Sequence, residues 1–79
     1  MNSFQIKLAS VTDVQDFVRA ASVQHFKVEA LSGVDRIDAK SIMGLFTLDL
    51  REPIQIEVDG EEPEVRRFCA SISHVMLPS

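Results

Sequence analysis

Seventy-nine residues leave room for one domain, spanning 1–79, and no second. A composition of 46% apolar and 25% charged residues, with three Gly and three Pro, excludes both a disordered chain and a collagen-like one. Twelve acids against eight bases give a net charge of −4, which argues against nucleic acid as a partner, because binding to a phosphate backbone runs on clustered Lys and Arg.

No apolar run approaches the roughly 18 residues that span a bilayer, so no membrane association is expected. The opening Met1-Asn2-Ser3-Phe4-Gln5-Ile6-Lys7 alternates apolar and polar residues, which is not the continuous block of a secretory signal. One cysteine cannot staple a small secreted fold or build a zinc site alone, and the expected location is the cytoplasm. With no Trp or Tyr, five Phe plus Ile, Leu, Val and Met must supply the core. That leaves little interior volume for a deep substrate cavity. A non-enzymatic protein without a cofactor is expected.

Phe4, Ile6 and Leu8 alternate with Gln5, Lys7 and Ala9, the period of a strand with one wet face. Thr12-Asp13-Val14-Gln15 fits a capping box, and Val14, Phe17, Val18 and Ala21 then recur at helical spacing to about Ser22. A second strand follows at Phe26, Val28 and Ala30. Ser32-Gly33 marks a hairpin turn into a third strand from Val34 to Asp38. Ser41 is a candidate N-cap for a second helix through Leu50, whose apolar residues are too dense for one buried face. Ile54, Ile56 and Val58 form the clearest strand. Pro63 and the acids Glu61, Glu62 and Glu64 suit the start of a last helix, with Val65, Phe68, Cys69, Ile72, Val75 and Met76 as its inner stripe. The order βαββαβα, with every strand alternating, predicts an α+β open-faced sandwich: a four-stranded antiparallel sheet covered on one face by three helices.

The segment Asp38-Ala39-Lys40-Ser41-Ile42-Met43-Gly44-Leu45 resembles the HPr family, the histidine-containing phosphocarriers of the bacterial sugar phosphotransferase system. The likeness runs on through Leu48, Leu50, the strand Ile54 to Val58 and the Gly60-Glu61-Glu62 turn, and Phe17-Val18 with Ala20-Ala21 falls where the family has its F-V-x-x-A stretch. The family carries a Gly-Leu-His-Ala-Arg-Pro-like loop before its first helix. In this chain the His position falls near Ser10 and the Arg position near Thr12, so the phosphoacceptor is missing. A serine phosphoester is far more stable than a phosphohistidine, and without the Arg a developing phosphoryl charge loses its partner. The resemblance therefore implies the regulatory type of HPr-like protein, which has lost the active His and kept the regulatory Ser.

On that resemblance Ser41 is a regulatory phosphorylation site as well as a cap. Ile42, Met43 and Phe46 form a partner-docking patch, with Gly44 keeping one flank low; complete burial of this side is the competing expectation. The implied partners are the HPr kinase/phosphorylase, a transcriptional regulator or a phosphotransferase component, met by a monomer. His25 and His74 read as surface residues that share no metal-ligand spacing with a third group, and Cys69 reads as inert core. Three alternatives stay open: a phosphocarrier with an unusual acceptor, a small-ligand regulatory module of ferredoxin-like type, and a degenerate family member with no regulatory role.

Overall fold

The structure, a computed structural model, describes residues 2–78. Its elements are β1 (Asn2–Ile6), α1 (Val11–Ser22), β2 (Val28–Ser32), β3 (Asp35–Asp38), α2 (Ile42–Leu45), β4 (Ile54–Val58) and α3 (Glu62–Ser71), followed by a 3-10 turn at Ser73–Val75. The sheet order is β1-β4-β2-β3 with every neighbour antiparallel. β4, the last strand in the chain, thus enters between the first two. Ile56 lies opposite Phe4 on one side and Ala30 on the other, and Ile54 and Ile56 are wholly buried. The expected α+β open-faced sandwich is the fold observed.

Alternation sorts the sheet's two faces. Ile6, Val28, Ala30, Ile54, Ile56 and Val58 are buried, with Phe4 and Ile37 packed half-buried beside them. Phe68 of α3 is the hub of this core, its ring centroid 6.4, 6.0 and 5.9 Å from those of Phe4, Phe17 and Phe26. On the open face Glu29 and Glu57 stand directly opposite, a like-charge pair that would destabilise the ladder. Arg36 of β3 neutralises it: its Nη1 donates to Glu29 Oε1 at 2.8 Å and to Glu57 Oε1 at 3.0 Å. Those bonds, from Glu57 first and then Glu29, raise the guanidinium above its already high ordinary value.

Several element boundaries differ from those predicted. The cap of α1 is Ser10, not Thr12: Ser10 Oγ accepts from Asp13 N, and Asp13 Oδ2 accepts from Ala9 N. An Asp three residues on does the work expected of Gln15. The hairpin turns at Gly33-Val34, because Ser32 pairs with Asp35; Gly33 takes φ +62, which costs a glycine little, and Val34 is left fully exposed at the tip. β2 starts at Val28 rather than Phe26. α2 ends at Leu45 instead of Leu50. α3 ends at Ser71, and Val75 and Met76 follow in the 3-10 turn and beyond it, with Met76 bridged to Ile6.

The β4–α3 turn is stitched to the residues ahead of β2. Lys27 N donates to Asp59 Oδ1 at 2.8 Å, Asp59 N returns a bond to Lys27 O, and Gly60 lies directly on the Phe26 ring. A Cβ at position 60 would stand 2.5 Å from Phe26 Cδ2. Gly60→Ala is expected to cost about 1–3 kcal/mol in urea denaturation. In a Phe26→Leu background the same substitution should cost measurably less, because the smaller side chain vacates the contact.

Candidate functional site

Ser41 caps α2 in an extended conformation (φ −104, ψ 112), its Oγ accepting from Gly44 N at 3.1 Å while its carbonyl accepts from Leu45 N. The single turn that follows resolves the crowding of apolar residues. Leu45 is wholly buried, and Leu48 reaches the core from the turns beyond the helix rather than from a longer helix. Met43 is 77% exposed and Phe46 46%, whereas Ile42 is half-buried against the core. Two of the three expected patch residues therefore face outward and the third forms their base. Gly44 does not lower a flank of this patch. It faces inward, where a Cβ would stand 2.6 Å from Ile37 Cγ2, and so seats α2 against β3.

Ser10 and Thr12 are both exposed at the start of α1. Ser10 lines a cleft of about 580 Å³ together with Lys7, Val11, Phe46, Leu48 and Arg51. The position expected to match the resembled family's phosphoacceptor and Phe46, the aromatic member of the expected docking patch, thus share one concavity. Ser41 does not line it. Residues not singled out from the sequence complete this surface. Val11 is 60% exposed at the first position of α1. Lys7 reaches across the chain, its Nζ donating to Leu50 O at 3.2 Å. Val11 precedes Thr12, the cap expected from the sequence, so the only signal for this surface was bases flanking apolar runs.

Asp49 ties down the far wall, with Oδ1 and Oδ2 accepting from Arg51 Nε at 3.0 Å and Nη2 at 3.2 Å and Oδ1 also from Arg51 N. The bond from the Arg51 side chain, then that from its backbone, holds the Asp49 carboxyl below the usual carboxylate value. No imidazole lines the cleft. His25 is hydrogen-bonded through Nε2 to Glu64 of α3, and His74 Nε2 lies 3.9 Å from Asp16 Oδ2. Cys69 is half-buried, and burial pushes its thiol up, away from the reactive thiolate. Among the described residues no three His, Cys, Asp or Glu side chains converge on a metal position, and no helix is long and apolar enough to cross a membrane.

No protein-family model matches the chain, and no curated protein does. Solved structures do. The histidine-containing phosphocarrier protein of Mycoplasma superposes with a TM-score of 0.72 at 15% identity, covering 92% of this chain and 89% of that one. HPr-C-His from Thermoanaerobacter tengcongensis gives 0.74 at 20% identity, with 92% of each chain covered. The chain therefore has the fold of the HPr phosphocarriers.

Two outcomes test the local geometry. Ser10→Ala should cost about 1 kcal/mol, and Thr12→Ala no more than about 0.5, in chemical denaturation, since only the first removes a cap acceptor. Asp49 should titrate below the ordinary carboxylate value by carbon-detected NMR and rise towards it in Arg51→Ala. A depressed native value contributes stability above the unfolded value, and that contribution disappears as pH falls through the native one.

Proposed function

We propose that this chain is an HPr-related protein of the sugar phosphotransferase system or its regulation, one that does not carry phosphoryl groups and acts as a monomer by docking protein partners through α2. The observation that carries this reading is the cleft at the start of α1. It offers the capping hydroxyl of Ser10 where a carrier needs an imidazole, beside an outward-facing Phe46. A phosphoester on Ser10 would be too stable to pass its phosphoryl group on, Thr12 brings no cation, and the bases lining the cleft are engaged elsewhere, Lys7 with Leu50 O and Arg51 with Asp49. What remains at the surface is recognition chemistry: Met43 and Phe46 over a base of Ile42, widened by Val11.

Ser41 is the switch of this reading. Its hydroxyl is half-buried one residue ahead of Ile42 and two ahead of Met43. A phosphate on it would add nearly two negative charges beside the apolar patch, favouring an Arg-bearing partner and repelling an acidic one. The HPr kinase/phosphorylase is the modifying partner, and a transcriptional regulator or a phosphotransferase component is the docking partner. Neither a cofactor nor a catalytic residue enters the scheme, and its setting is the cytoplasm.

Incubation with HPr kinase/phosphorylase and ATP should place one phosphate on Ser41, located by mass spectrometry, and Ser41→Ala should abolish it. With phosphoenolpyruvate and enzyme I, no acid-labile phosphate should form on His25 or His74; its appearance would restore the carrier reading. Met43→Asp should weaken binding to a docking partner by roughly tenfold or more, about 1.4 kcal/mol, with an unchanged thermal melt. The fully exposed control Val34→Asp should leave binding unaltered, and equal losses from both would remove α2 as the docking surface.

A further inference from the structure

Three sulfur atoms lie among the described residues, and the fold treats them differently. The Cys69 thiol is half-buried on α3 and pushed up by that burial, which keeps it from the thiolate that oxidants attack. Met76 is half-buried against the core, its N donating to Ser73 O at 3.3 Å and its backbone bridged to Ile6. Met43 is 77% exposed. It is the second residue of α2, between the Ser41 cap and Leu45, which is wholly buried and anchors the turn. The Met43 side chain belongs neither to the core nor to the apolar residues packed against it. Phe46, itself 46% exposed, follows three residues on, and the half-buried Ile42 precedes it directly.

We propose that Met43 is a site of reversible oxidation by peroxides, and that its conversion to the sulfoxide switches off docking through α2. The second half rests on the docking role proposed for α2. The sulfur lone pair attacks one oxygen of hydrogen peroxide, the O–O bond breaks and an S–O bond forms. The hydroxyl carried onto sulfur gives its proton to the departing hydroxide, so one water leaves and the sulfur is oxidised by two electrons. A flexible apolar side chain thereby becomes a polar one with a hydrogen-bond acceptor oxygen. In the free chain that oxygen stays in water. Under a partner it would be buried beside Ile42 and Phe46 without its water, so the modification penalises the complex and spares the fold.

The test uses the full chain in two arms. In dilute hydrogen peroxide, followed by peptide mass spectrometry, Met43 should gain one oxygen roughly tenfold faster than Met76 or more, with an unchanged thermal melt. After removal of the peroxide, the kcat/KM with which HPr kinase/phosphorylase and ATP modify Ser41 should fall about tenfold. A pair of methionine sulfoxide reductases, one for each epimer, should restore it. The fall should persist in Met76→Leu and vanish in Met43→Leu, each variant compared with itself before treatment. Equal oxidation of Met43 and Met76, a melt lowered by the Met43 sulfoxide, a loss the reductases do not repair, or one that survives Met43→Leu would each overturn the proposal. Equal phosphorylation before and after oxidation would overturn it and leave the docking role of α2 intact. A chain that the kinase ignores before any treatment would remove that role, and the switch with it.

Discussion

The insertion of β4 between β1 and β2 is the constraint on which the rest depends. β1 and β2 are joined through α1 and run in the same sense, and β4 fills the gap between them, antiparallel to both. Once β4 is in place, Ile54, Ile56 and Val58 lose water on both flanks, and Phe68 follows on α3 into the cluster with Phe4, Phe17 and Phe26. The same insertion sets Glu57 against Glu29, which makes Arg36 more than surface decoration: it is the cation that allows two carboxylates to share a cross-strand position.

The proposed functional surface is a consequence of that scaffold. With the sheet closed, the start of α1 and the segment after α2 are brought to a common cleft although they lie far apart in the chain. α2 is too short to bury two sides, so Leu45 takes the core and Met43 and Phe46 are left in water. Exposed Met and Phe on a small protein cost solubility and add nothing to its core, which is why they are read as contact residues. The cap at Ser10 and the clamp at Asp49–Arg51 hold the walls of the cleft in place.

Much of the architecture was legible from periodicity. The alternation of Ile54, Ile56 and Val58, the helical spacing of Val14, Phe17 and Ala21, and the Pro63 start of α3 each express a local geometry that side-chain burial alone enforces. Boundaries were less legible, because a cap depends on which nearby oxygen reaches a free N–H. Ser10 with Asp13 and Thr12 with Gln15 present nearly the same pattern, and only the backbone path decides between them. The length of α2 was hidden for a similar reason: Leu48 belongs to the core, but nothing local says whether a helix or a turn delivers it.

Composition and order by themselves determined an α+β fold with an antiparallel, one-sided sheet, since alternation and element sequence are local properties of the chain. They also determined that no imidazole stands before α1, and that a serine begins α2. Only the tertiary structure decided which strand lies in the middle, that Gly44 faces Ile37 rather than solvent, and that Val11, Lys7 and Arg51 join Phe46 around one cleft. Those facts depend on approaches between residues distant in sequence, and such approaches follow from the closed packing of the whole core.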